Sequence, residues 1–132
     1  DNRIAVTDFE KDLPTPFTAA TLAYLQRRHP GTHFVWLMGA DNLIGFHNWQ
    51  DWRTIFATVP IAIIDRPRCH LGALSAPAAR AHANRRRPET LARTILTQHT
   101  PAWTFLAGPL SPTSSTAIRG RKAEVVAKTQ QK

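Results

Sequence analysis

Two clusters of residues in this sequence have the types and spacing to handle a ligand that carries both a ring and a phosphate. The first closes the stretch "WLMGADNLIGFHNW", residues 36–49, where a run of apolar side chains gives way within a few positions to Gly39, Asp41, His47 and Trp49. Gly39 allows a ligand to approach the backbone. Asp41 can accept hydrogen bonds from a pair of sugar hydroxyls, or it can cap the short helix expected over "NLIGF"; local sequence leaves both open. Trp49 offers a flat, polarisable face for stacking on a heteroaromatic ring, or it is a core residue, a serious alternative in a chain with four tryptophans. His47 reads as a ligand contact or as a solvated loop histidine.

The second cluster is "SPTSSTAIRG", residues 111–120. Ser114, Ser115 and Thr116 straddle an expected helix start, so that hydroxyls and free backbone N–H groups point the same way, with Arg119 one turn along to meet an anion. That arrangement seats a phosphate. Its ordinary counterpart is a Ser/Thr helix cap beside a surface arginine. No G-x-G-x-x-G, G-x-x-x-x-G-K-[ST] or H-E-x-x-H occurs, the six histidines show no metal-ligand spacing, and no nucleophile stands beside a base. No metal-ligating residue is therefore expected.

These clusters need elements to hold them. The segment "RIAVTDF", residues 3–9, alternates well enough for a strand. Thr18 is placed to cap a helix over "AATLAYLQRRH", whose last turn gathers Arg27, Arg28 and His29 where the helix dipole favours cations, and Pro30 stops it. "HFVWLMGA" and "VPIAIIDRP" are continuous apolar runs of strand length, the pattern of strands covered on both faces. Between them Trp52, Ile55 and Phe56 form one stripe of a short helix. Residues 66–101 are Arg- and Ala-rich, with Pro77 and Pro88 dividing two expected helices. "AWTFLAG", residues 102–108, is a further strand, and "TAIRGRKAEVVAK" a last helix. Alternating strands and helices predict an α/β fold with a mainly parallel sheet, in which ligands bind beyond the carboxyl ends of the strands. Residues 39–49 fall at that edge.

Composition sets outer limits. A chain of 132 residues with 42% hydrophobic side chains fits a single domain, residues 1–132. A single cysteine, Cys69, precludes an internal disulfide and suits a reducing cytoplasm. No run approaches the roughly 18 to 20 apolar residues of a membrane span. Thirteen arginines within a net charge of +8 favour anionic partners without choosing among phosphate esters, nucleic acid and acidic lipid.

Taken in order, "TPFTAATLAYL", "FVWLMGADNLIGFHNWQDWRTI", "PIAIIDRP" and "SSTAIR" resemble the bacterial nicotinate-nucleotide adenylyltransferases, over about residues 3–119. "SSTAIR" recurs across the wider nucleotidyltransferase superfamily, whereas "GADN" followed by a short helix and W-x-x-W is narrower. The resemblance implies a Rossmann-like nucleotidyltransferase fold and adenylyl transfer from ATP, with Mg²⁺, to nicotinate mononucleotide, giving nicotinate adenine dinucleotide and pyrophosphate in NAD synthesis. It places Thr18 and Trp49 at the nicotinate end, Gly39 and Asp41 on the ATP side with Asp41 at the ribose, and Ser115, Thr116 and Arg119 on the ATP phosphates. Arg119 is then the catalytic residue, an electrostatic stabiliser of the transferring phosphate. Membrane and nucleic-acid partners are disfavoured. The rivals are transfer to another acceptor phosphate, such as phosphopantetheine, or a basic nucleic-acid-binding module drawing on Arg85 to Arg87.

One departure accompanies the resemblance. The family's opening motif, G-G-[ST]-F-D-P-x-H-x-G-H, has no counterpart here, and Asp1 matches the family's third strand. The expectation is a C-terminal portion of the domain lacking its N-terminal strands, on the order of 60 to 80 residues or about two β-α units. With it goes the expectation that the 132 residues alone are poorly stable and have little transferase activity.

Overall fold

The computed structural model describes residues 4–108. Ser115, Thr116 and Arg119, the expected phosphate seat, lie outside the described residues, as does the expected last helix. Four strands, β1 (Trp36–Gly39), β2 (Ile61–Ile64), β3 (Arg86–Arg87) and β4 (Trp103–Leu106), form one sheet in the order β1-β2-β4-β3. Every pairing is parallel, with Gly39 opposite Ile64 and Ile64 opposite Leu106. The α/β class and the parallel sheet expected from the alternating pattern are therefore found. Among the described residues no helix is long and apolar enough to cross a membrane.

Helix α1 (Thr18–Arg28) forms because Ala, Leu and Gln dominate it and no Gly or Pro interrupts it. Thr18 is its first residue rather than its cap; Phe17 occupies that position, and its carbonyl accepts the Ala20 and Thr21 N–H groups at 3.0 and 3.1 Å. Helix α2 (Ala40–Gly45) follows β1 without a loop. Helix α3 (Trp52–Thr58) buries the stripe of Trp52, Ile55 and Phe56, and ends where Val59 and Pro60 turn the chain into β2.

The segment over residues 66–101 departs from its expected two helices. Pro77 starts α5 (Pro77–Ala81) directly after α4 (His70–Ser75), in the first turn, where its missing N–H costs nothing. After Pro88 the chain runs as a 3₁₀ stretch, Glu89–Thr97. The two-residue strand β3 lay hidden because it is exposed, charged and too short for any period; Thr104 Oγ1 donates to the Arg87 carbonyl at 3.1 Å and helps hold it. The expected strand at residues 3–9 is also absent: residues 4–8 are exposed, pair with no strand of the described sheet, and lead into a 3₁₀ turn at Phe9–Asp12. A strand exists only through its ladder, and alternation alone does not supply a neighbour.

The core lies between β1, β2 and β4 and the helices, with Leu43, Phe46, Ile55, Phe56, Ile61, Ile63 and Trp103 almost wholly buried. Each such side chain contributes about 1.5–3 kcal/mol of transfer free energy. Phe46 is the hub of an aromatic cluster, meeting Trp49, Trp52 and Phe56 edge-on at 5.1, 6.4 and 5.7 Å. His82 stacks on Phe56 at 4.2 Å, and its carbonyl accepts the Trp103 indole N–H at 2.8 Å. Burial, with Arg53 and Arg85 adding like charge, holds the His82 imidazole below the usual histidine range.

Candidate functional site

Parallel strands present their carboxyl ends on one edge, and the expected ATP-side residues stand there. Gly39 ends β1 with φ −74°, a conformation open to any residue, so its smallness serves space and not backbone freedom. A Cβ at position 39 would collide with Asp41 Oδ1 and come within 3.1 Å of Arg66 Nε. The carboxylate of Asp41 therefore folds back over the strand end into the room that Gly39 leaves. Asp41 is the second residue of α2, in its first turn, while Gly39 holds the N-cap position; the Asp41 Oδ1 lies 3.9 Å from Arg66 Nε. Both groups are partly open to solvent. A half-exposed carboxylate in the first turn of a helix can accept hydroxyl hydrogens.

The two residues expected at the nicotinate end also meet. Thr18 and Trp49 line one pocket of about 290 Å³ together with Pro16, Phe17 and Gln50. Trp49 is half-buried, packed against the core and also lining this pocket. One edge of the indole packs on the buried Phe46, while the ring borders the pocket. The turn that delivers Trp49 is a 3₁₀ segment, Phe46–Asn48, whose Phe46 is fully buried and so fixes where the next ring can go. Asp51 follows in the left-handed region at φ 54° and turns the chain into α3. His47 is half-buried, with Nδ1 lacking a hydrogen-bond partner among the described residues, unlike a solvated loop histidine.

Sequence reasoning gave no role to three further residues on this edge. Asp65 and Arg66 follow β2 directly, and the Asp65 side chain is only 9% exposed. Asp65 Oδ1 accepts the Arg66 N–H at 2.8 Å, and Oδ2 lies 2.8 Å from His70 Nδ1. The signal was present in "IIDRP": an acid and a base immediately beyond a doubly covered strand are at the ligand edge of such a sheet. Among the described residues no three His, Cys, Asp or Glu side chains are grouped to hold a metal ion.

Comparison with known proteins accords with this geometry. Residues 2–121 match the family described as cytidylyltransferase-like. The chain is 51% identical to a protein of Rhizobium meliloti named probable nicotinate-nucleotide adenylyltransferase, over 92% of this chain and 64% of that protein. Proteins of the same name from Methylorubrum extorquens and Cereibacter sphaeroides are 53% and 50% identical, over 92% and 89% of this chain. The chain spans 65% and 61% of the length of those two relatives. A match covering most of its length, on a chain whose described strands form one parallel sheet, shows that the chain belongs to the cytidylyltransferase-like family.

Proposed function

We propose that this chain carries the acceptor pocket and part of the ATP site of a nicotinate-nucleotide adenylyltransferase. The observation that carries the reading is the meeting of Thr18 and Trp49 in one pocket, with Asp41 in the first turn of the helix that follows β1. An aromatic face beside a small hydroxyl suits a pyridine ring bearing a polar substituent. The names of the relatives supply the substrate class.

In this reaction a phosphate oxygen of nicotinate mononucleotide attacks the α-phosphorus of ATP. The bond from that phosphorus to the α,β-bridging oxygen breaks, and pyrophosphate leaves. Transfer of this kind needs reactants held in line and developing charge neutralised more than it needs a protein nucleophile. Trp49 and Thr18 orient the acceptor, and Asp41, in the space left by Gly39, orients the ribose of ATP. Ser115, Thr116 and Arg119 hold the phosphates in this reading, Arg119 countering charge on the transferring group. Mg²⁺ enters with ATP as part of the substrate. The cytoplasm, where ATP and the mononucleotide are both present, is the compartment that this chemistry fits.

The test is acceptor choice. Protein expressed from its natural start codon is given MgATP with nicotinate mononucleotide, nicotinamide mononucleotide or phosphopantetheine, and products are separated chromatographically. Nicotinate adenine dinucleotide as the main product supports the reading. Preferential adenylylation of phosphopantetheine, or no adenylyl product, overturns it.

A further inference from the structure

The pair formed by Asp65 and His70 has no part in the reaction just described, yet it is built as a site component. Asp65 is almost fully buried at the carboxyl end of β2, one residue beyond Ile64, the partner of Gly39. Its carboxylate is occupied on both oxygens, by the Arg66 N–H and by His70 Nδ1. The His70 ring is braced edge-on against the buried Phe105, centroids 4.8 Å apart at 75°. Its side chain is nevertheless 47% exposed, and no described residue bonds Nε2. One nitrogen is locked and the other is left without a partner among the described residues.

The lock fixes the chemistry of the free nitrogen. A carboxylate oxygen accepts, so Nδ1 is the donor in this bond, and in the tautomer that this selects Nε2 is a bare acceptor. We infer that His70 Nε2 accepts a hydrogen bond from the exocyclic amino group of the purine base of the nucleotide, selecting adenine over a 6-oxo purine. This rests on the proposed reaction for the placement of the nucleotide. A dinucleotide with its pyridine ring at Trp49 and its second ribose at Asp41 extends its other base beyond Asp41, away from the pyridine. Arg66 lies 3.9 Å from Asp41, and its chain neighbour Asp65, directly after β2, holds His70, the first residue of α4. An amino group meets the Nε2 lone pair favourably; the carbonyl of hypoxanthine sets lone pair against lone pair. Asp65 is then a positioning residue and His70 the group that touches the base.

The experiment compares ATP with inosine triphosphate, which differs by the amino-to-oxo exchange, at mildly alkaline pH, in protein from the natural start codon. The parent uses ATP about tenfold to a hundredfold better in kcat/KM, the range for one hydrogen bond set against an unpaired acceptor. His70→Ala lowers that ratio by about tenfold through loss of ATP use, with the KM for nicotinate mononucleotide unchanged. Asp65→Asn, whose amide can donate to Nδ1 and shift the ring hydrogen to Nε2, raises inosine triphosphate use relative to ATP. Equal losses for both nucleotides in His70→Ala, with the ratio retained, overturn the inference and leave the pair a structural brace. Equilibrium binding of the two nucleotides without acceptor reports the same ratio independently of turnover. Failure of the parent to transfer from either nucleotide would count against the proposed reaction; failure of the ratio alone counts against His70.

Discussion

Thr18 and Trp49 border the same pocket, although one opens helix α1 and the other follows helix α2 through a separate turn. Their meeting depends on Phe46, whose buried ring anchors the turn and meets the indole edge-on at 5.1 Å. Trp49 therefore has a packed edge and a free border.

Replacing Trp49 by Ala removes the stacking surface, an effect of about 1–3 kcal/mol for a base on an aromatic ring. Calorimetric titration is expected to show nicotinate mononucleotide binding weakened by about tenfold to a hundredfold, with ATP binding nearly unchanged. Trp49→Phe keeps an edge against Phe46 and is expected to retain most of the affinity. A salt-dependent affinity for nucleic acid that is indifferent to Trp49→Ala would favour the basic-module alternative.

Gly39→Ala tests the space beneath Asp41. The added methyl meets a carboxylate oxygen and the Arg66 side chain, both of which can swing aside, so stability is expected to fall by only about 1 kcal/mol. The displaced carboxylate should raise the KM for ATP by about tenfold or more with the fold intact by circular dichroism. A variant with parental ATP kinetics would show that Asp41 does not work from its observed position.

Asp41→Asn separates binding from stability at the same place. The Asp41–Arg66 pair is long and partly exposed, and pairs of that kind contribute about 0–1 kcal/mol. Chemical denaturation should barely register the change, whereas ATP kinetics should suffer. A large stability loss with unaltered kinetics would make the pair structural.

His82 gives a pH signature. Its folded pKa is lowered by burial first and by Arg53 and Arg85 next. Above the ordinary histidine value of 6.5 both folded and unfolded rings are neutral, and nothing is linked to pH through this group. As pH falls below 6.5, the unfolded chain takes up a proton that the folded chain resists, and stability declines until the folded pKa is crossed. Urea denaturation across that interval should show a steeper decline in the parent than in His82→Leu. Equal slopes would place the His82 ring in water rather than against Phe56.

The strands in "FVWLMG" and "IAII" were legible because an unbroken apolar run of that length has few other uses in a domain with alternating elements; β2 is largely covered on both faces as expected, whereas β1 is not, since Leu37 is 64% exposed. The stripe of Trp52, Ile55 and Phe56 was legible by its period. Short-range pattern failed where structure is decided from outside the segment. Residues 4–8 alternate yet have no ladder in the described sheet, and Arg86–Arg87 have no pattern yet join β4. In the site, the sequence grouped Gly39, Asp41 and Trp49 in one stretch and the resemblance set Thr18 with Trp49, but neither could show that Gly39 makes room for Asp41, or that Asp65 anchors His70. Both depend on side-chain directions that spacing does not encode.

Adenylyl transfer to the mononucleotide in the Trp49 pocket is read out by the fate of the α-phosphate of ATP. Protein from its natural start codon is incubated with nicotinate mononucleotide and MgATP labelled at the α-phosphorus. Label is expected to move into nicotinate adenine dinucleotide in step with release of unlabelled pyrophosphate, and Trp49→Ala to slow both. Label remaining in ATP, or appearing in AMP without the dinucleotide, would contradict that transfer.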